Sequence, residues 1–205
     1  MVARQPKYRR ALPEDRRVDL VEATLRCLAR YGHQGVSVRR IAAEAGVSAG
    51  LVNHHFEGIE SLVAAAYEKV ARDVMAAILA DVEPIADPRR RLSAFVAASF
   101  SDAVLDPGLL KVWVVFWSLL PHSDQLKAIQ QRTWADYRRT LEVDLAACAG
   151  PVVFDAARAA LGLAALMDGL WLAWCLDPDS YRPDVGVALC EAYVDDALVR
   201  SAARG

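Results

Sequence analysis

This 205-residue chain predicts an all-α fold, and three observations carry that reading. Apolar residues recur every three or four positions through almost every long segment. Ala, Leu, Arg and Glu dominate those segments, while the β-branched residues that favour strands are scattered. Breakers such as Asp87-Pro88, Asp106-Pro107-Gly108 and Gly150-Pro151 fall between the periodic stretches, where they read as punctuation. Together they predict nine helices.

The first helix is expected over residues 13–31. Pro13 stands at its start, where a missing N–H is harmless, Gly32 ends it, and Val18, Val21, Leu25 and Leu28 mark an inward stripe. Two short helices occupy residues 37–56. A long fourth helix follows Gly58 and stops before Pro84. Asp87-Pro88 opens a fifth, Asp106-Pro107-Gly108 precedes a sixth, and Pro121 ends that one ahead of a seventh over about 123–147. Gly150-Pro151 opens an eighth that reaches Leu176, and Asp177-Pro178 with Pro183 separates it from a ninth ending near Ala202. There is no internal repeat and no low-complexity tract.

Residues 37–56, SVRRIAAEAGVSAGLVNHHF, are the most specific stretch. Val38, Ile41, Ala42 and Ala45 share one helical face, Gly46 can supply the left-handed φ that stops a helix, and Val47 covers the corner. Ser48 can cap the next helix, in which Leu51 and Val52 turn inward. Ala42 and Gly46 are small where two helix backbones must approach closely. An ordinary helical hairpin would satisfy any one of these features. Their conjunction beside a basic N-terminus predicts a helix-turn-helix whose second helix enters a DNA major groove.

Charge is divided in a way that the net value of −2 conceals. Residues 1–56 hold ten Lys and Arg against five acids, a surplus of five positive charges, and the remainder holds 14 basic against 21 acidic side chains. A local basic face suits phosphate, and an acidic remainder discourages indiscriminate coating of nucleic acid. Residues 1–12 are expected to be a flexible basic arm. Helix-turn-helix and arm are assigned to residues 13–57 and 1–12, and residues 58–205 to a ligand-binding and dimerisation domain.

Other classes find little support. Cys27, Cys148, Cys175 and Cys190 have neither C-x-x-C spacing nor nearby histidines, so they are expected to be small buried hydrophobes rather than metal ligands or a redox pair. His54 and His55 are neighbours whose side chains diverge by about 100° on a helix and make a poor metal pair. No phosphate-cradling glycine loop and no nucleophile with a credible base is present, which argues against an enzyme and predicts neither cofactor nor metal. The apolar stretch 152–176 is interrupted by Asp155, Arg158 and Asp168 and reads as a buried or interfacial helix rather than a membrane span. No signal peptide is visible, and a cytoplasmic location, on the nucleoid when DNA is bound, is expected.

With Gly32, Ser37, Ile41-Ala42, Ala45-Gly46-Val47-Ser48, His55-Phe56 and Leu62 in this order, the chain resembles the TetR family of transcriptional regulators over its full length. Where that family carries a tyrosine before the phenylalanine this chain has His55. Where a lysine follows three residues later it has Ile59, which removes an implied phosphate contact. The runs from Leu110 to Trp117 and from Ala164 to Leu172 are similar to the choline-responsive repressors of betaine synthesis, the BetI group. The resemblance implies a homodimer that binds double-stranded operator DNA until a small molecule enters the C-terminal domain.

On this reading the recognition helix starts at Ser48 and offers Ala49, Gly50, Asn53 and His54 to the groove. Asn53 is the best base reader because its amide can pair bidentately with adenine. Ser37, Arg39, Arg40 and His55 would hold the phosphate backbone. Trp113 and Trp117 at i, i+4 and Trp171 and Trp174 at i, i+3 form two helical pairs. Indole faces attract a quaternary ammonium, which forms no conventional hydrogen bond, and Asp168 could neutralise it. Phe116 and Trp134, with Tyr137, Phe95 and Phe100, are further candidates for the same cavity. Tryptophans at such spacing equally serve core or dimer packing, and Asp168 could equally pair with an arginine across a helix interface.

Small residues Gly162, Ala164, Ala165 and Gly169, with Val187, Leu189, Tyr193, Ala197 and Leu198, predict a four-helix dimer interface from helices eight and nine. Choline or another quaternary ammonium compound is the expected effector. A repressor of multidrug efflux that senses other hydrophobic cations, a structural helical dimer and an enzyme are the alternatives.

Overall fold

The computed structural model describes residues 13–150 and 154–202, and the expected basic arm over 1–12 lies outside them. In chain order the helices are α1 (Pro13–Tyr31), α2 (Val38–Glu44), α3 (Ala49–His55), α4 (Ile59–Ala80), α5 (Pro88–Ser99), α6 (Pro107–Leu119), α7 (Asp124–Ala149), α8 (Ala156–Leu176) and α9 (Pro183–Ala202). A single 3-10 turn, Leu120–His122, follows α6. Among the described residues there are nine α-helices and no strand.

Helix starts are set by side chains that receive otherwise orphaned N–H groups. Ser37, Ser48 and Ser123 accept from Arg40, Leu51 and Leu126, each at 3.3 Å. Asp87, Asp106 and Asp155 do the same for Arg90, Leu109 and Arg158 at 2.7, 2.8 and 3.0 Å. The Asp155 cap explains why α8 begins at Ala156 and not at the Gly150-Pro151 break expected from the sequence.

The chain divides into two compact units, Met1–Ala66 and Tyr67–Gly205, with the division inside α4. In the first unit α1 packs on α2 and α2 on α3. Gly46 sits at φ 66°, the turn conformation its lack of a Cβ permits, and Val47 N–H closes the corner on the Ala42 carbonyl at 2.9 Å. Ile41, Ala42, Val52 and Phe56 are buried. The expected α1 stripe needs correction at Val18, which is half exposed. The true stripe is centred on Leu20, Thr24 and Cys27. Thr24 joins it because its hydroxyl donates to the Leu20 carbonyl at 2.8 Å and leaves no polar atom unsatisfied.

In the second unit α7 packs most extensively on α8, α5 covers α7 and α9, and α6 lies against α8. The core is mainly aliphatic and includes Leu92, Leu141, Leu145, Leu163 and Val194, with Phe95 among them. One buried ion pair ties α5 to α7: Arg91 places both Nε and Nη2 on Asp144 Oδ1, the first at 2.7 Å. A second link joins α5 to α9 through Arg89, which donates to Glu191 and Asp195 at 2.6 and 2.7 Å.

Asp144 is only 3% exposed, so removing its counterion strands a charge in the core. Arg91→Met is expected to lower unfolding stability by about 3 to 5 kcal/mol in a urea titration, and the pair Arg91→Met with Asp144→Leu to recover most of that loss. A double variant as unstable as the single one would show that Arg91 stabilises by packing alone.

Candidate functional site

The first unit presents α3 with one face inward and one outward. Val52 and Phe56 are buried, while Gly50, Asn53 and His54 are exposed and Ala49 is half-buried. These outward positions repeat at the spacing that places i, i+1, i+4 and i+5 on one helical face. Ser48 caps the helix at its near end. At its far end Arg17 of α1 donates from Nη1 to the His55 carbonyl at 2.8 Å and lies 4.2 Å over the Phe56 ring. His55 is half-buried against His54, ring centroids 5.2 Å apart, and has less free surface than the sequence reading gave it.

Ser37, Arg39 and Arg40 are all exposed. Arg40 lies 4.5 Å over the Tyr31 ring and donates to the Gly35 carbonyl, so its guanidinium is held in place. A Cβ on Gly35 would collide with Tyr31, which is why that turn lies close to α1. Arg17, Tyr31 and Gly35 were missed as site residues. Arg17 counted only as charge in the sequence, since nothing local links it to a helix 38 residues away.

The second unit encloses a cavity of about 440 Å³. α6 contributes Trp113 and Trp117, α7 Gln130, Thr133, Trp134 and Tyr137, and α8 Asp168 and Trp171. Trp134 and Tyr137 are stacked at 5.8 Å, and Trp113 lies 6.2 Å from Trp117. Trp171 donates its indole N–H to the Ser99 carbonyl at 3.0 Å, which fixes the ring. Tyr67 donates to the Gln130 amide oxygen, leaving the amide N–H groups as donors for a ligand oxygen.

Asp168 has no ion-pair or hydrogen-bond partner among the described residues, so the arginine pairing weighed from the sequence is not formed. Burial pushes its carboxyl up to about 7. Burial, and then the Asp168 charge, also raise the Tyr67 and Tyr137 hydroxyls, which lie near it. The other charged lining residues include Arg132, paired with Glu68, and Arg72, paired with Asp73, so a cation entering here would meet the acceptor charge of Asp168 unpaired, together with the aromatic faces.

Four expected lining residues lie elsewhere. Phe116 is fully buried behind the wall, 4.7 Å from Tyr67 and 6.2 Å from Trp113. Trp174 packs against the core cluster, one turn beyond the reach of the cavity. Phe95 and Phe100 are likewise core residues. What the sequence reading missed is the aliphatic wall from α4, Val74, Met75, Ile78 and Leu79, whose residues look like any core stripe.

α8 and α9 leave an apolar face uncovered. Leu161, Leu172, Leu176, Val185, Leu189 and Val199 are exposed, Leu176 to 74% and Val199 to 67%. Of the residues expected there, Ala164 is buried in the unit's own core, and Val187, Tyr193, Ala197 and Leu198 pack inward. α9 is apolar on two sides, and its pattern alone does not say which one faces the core. α8 is long and apolar enough to cross a membrane by length and composition. Among the described residues no group of three His, Cys, Asp or Glu is placed to hold a metal.

A family model for bacterial regulatory proteins of the tetR family matches residues 20–66, and one for the C-terminal domain of BetI-type transcriptional repressors matches 88–199. The HTH-type transcriptional regulator BetI of Burkholderia thailandensis is 34% identical over 183 residues, covering 89% of this chain and 93% of that protein. Its namesake from Paraburkholderia phymatum is 34% identical over 196 residues, 93% and 96% of the two chains. The crystal structure of a candidate transcriptional regulator from Pseudomonas aeruginosa PAO1 is 44% identical, with a TM-score of 0.86 and 93% of each chain covered. A regulator from Saccharomonospora viridis, crystallised in complex with choline, shares the fold at 21% identity, a TM-score of 0.78 and coverage of 89% and 96%. Helix-turn-helix and C-terminal domain are thus both matched by models of one lineage, and the chain belongs to the TetR family as a transcriptional repressor of the BetI type.

Proposed function

We propose that this repressor binds a pseudo-palindromic operator as a homodimer in the cytoplasm and releases it when choline or a related quaternary ammonium compound fills the cavity of its second unit. The observation that carries the effector class is Asp168, a carboxylate without a counterion in a cavity walled by Trp113, Trp117, Trp134, Tyr137 and Trp171. Each good cation-π contact contributes roughly 0.5 to 2 kcal/mol, and the carboxylate selects positive charge over a neutral isostere. On this reading residues 13–57 bind DNA and 58–205 bind effector and partner.

DNA recognition is assigned to the helix that starts at Ser48, with Ala49, Gly50, Asn53 and His54 against base edges and Ser37, Arg39, Arg40, His55 and the basic arm on phosphates. The exposure of Asn53 and the pinned guanidinium of Arg40 support that division of labour. The exposed apolar face of α8 and α9 supports dimerisation through a four-helix interface. Two-fold symmetry would then set recognition helices about 34 to 36 Å apart, one DNA turn. Effector binding need favour the wrong separation by only about 1 to 3 kcal/mol to weaken operator binding roughly 5- to 150-fold.

Asn53→Ala is expected to lower the preference for operator over random DNA by about 1 to 3 kcal/mol in an anisotropy competition. Arg40→Ala should weaken both DNAs alike and flatten the salt dependence by about one charge. Equal losses of specificity from the two would overturn the role assignment.

Because choline's charge does not titrate, the pH dependence of its binding reports on the protein. The Asp168 carboxyl is neutral below about 7 and charged above it, so choline affinity is expected to rise about tenfold per pH unit up to that point and then level off. Calorimetric titration of Asp168→Asn should show weaker binding with no such rise. Choline that leaves operator affinity unchanged at pH 8 would reject the choline assignment while leaving DNA binding standing.

Leu172→Glu with Leu189→Glu places charge on the uncovered face and should give monomers by sedimentation, with operator affinity lost. A double variant that still sediments as a dimer would put the interface elsewhere.

A further inference from the structure

The cavity is larger than choline requires. At about 30 Å³ per non-hydrogen atom, choline occupies at most roughly 200 Å³. The space enclosed is about 440 Å³, within the range of ligands several times larger. Its shape is elongated along one helix: lining residues from Glu68 to Leu79 span eleven steps of α4, about 16 Å at 1.5 Å per residue.

The chemistry changes along that length. Trp113 lies 5.4 Å from Tyr67, and Gln130 accepts from the Tyr67 hydroxyl, which puts the α6 indoles and the amide at the Tyr67 end of the α4 segment, and the charge of Asp168, on the wall of the same cavity, acts on Tyr67 as well. Away from that end α4 offers Val74, Met75, Ile78 and Leu79, positions that recur at i, i+1, i+4 and i+5 on one face and carry no hydrogen-bonding group. Water resting on that wall gains nothing from it, whereas a hydrocarbon there removes apolar surface from solvent. Met75 is unbranched and can adjust to arms of differing length.

We propose that the cavity takes an amphiphilic cation, a quaternary ammonium head at Asp168 and the aromatic walls joined to an aliphatic arm longer than choline's that lies along Val74, Met75, Ile78 and Leu79. The proposal rests on the cation reading of the same cavity and names the class of cation. It also separates the two ends by role: the aromatic end sets charge, and the α4 wall sets the length of arm accepted.

The test is calorimetric titration of the full-length repressor at pH 8 with tetramethylammonium, choline, and hydroxyethyl-dimethylammonium ions carrying butyl or hexyl arms. Affinity is expected to rise about fourfold per methylene on the wall, so that the hexyl ion binds at least roughly thirtyfold more tightly than choline. In Met75→Trp the ratio between hexyl ion and choline should collapse to within about threefold, because the indole occupies the track of the arm. Choline binding as tightly as the hexyl ion in the unaltered protein overturns this inference alone. If no member of the series binds, tetramethylammonium and choline included, the cation reading falls and this inference with it.

Discussion

A carboxylate withdrawn from water must gain a counterion or give up part of its charge, and the second unit holds one example of each case. Asp144 lies in the core with both Nε and Nη2 of Arg91 on one oxygen, and the pair serves to join α5 to α7. Asp168 faces a cavity instead, with no ion pair or hydrogen bond of its own among the described residues and an ordinary acidity lost to burial. Arg132 of α7 lines the same cavity but pairs with Glu68 rather than with Asp168. Asp168 thus lies with its charge unpartnered in a cavity lined by indoles and a phenol.

The same economy of partners governs the first unit. α3 is only seven residues long, and an isolated helix of that length does not persist in water. It is held at both ends by groups outside itself: the Ser48 hydroxyl takes the Leu51 N–H, and Arg17 reaches from α1 to the His55 carbonyl while covering Phe56. Val52 supplies the buried anchor between them. With the helix's ends held in this way, Asn53 and His54 remain exposed.

Helix number, order and most boundaries were legible because prolines, glycines and capping Asp or Ser act locally, and Asp106 and Ser123 cap helices within a residue or two of where the breakers imply. Boundaries failed where two local signals competed, as at α8, where the Asp155 cap prevails over the Gly150-Pro151 break. Which neighbour a helical face meets was less legible. Periodicity aligned Trp113 with Trp117 and Trp171 with Trp174; both rings of the first pair reach the cavity but only Trp171 of the second, because a rotation of about 60° between i and i+3 decides it, and Phe116 on the same helix as the first pair is turned into the core. The α4 wall was invisible for a stronger reason: Val, Met, Ile and Leu line a cavity or fill a core with the same pattern, and only the presence of space distinguishes the two.

Continuity of α4 stiffens the wall it gives to the cavity. The helix runs from Ile59 to Ala80 without glycine or proline, the residues at which helices bend sharply. Its first eight residues belong to the unit that carries the helix-turn-helix, and the remainder to the unit that encloses the cavity. Leu62, Val63 and Ala66 are buried on one side of that division, as are Tyr67, Val70 and Ile78 on the other. Within the second unit, a ligand that presses on the wall between Val74 and Leu79 works against a helix anchored by the burial of Tyr67, Val70 and Ile78. Melting a turn of α4 to absorb the displacement would forfeit several backbone hydrogen bonds, each contributing about 0.5 to 1.5 kcal/mol. Moving the α4 segment of the second unit without melting it costs less whenever its packing admits a second arrangement.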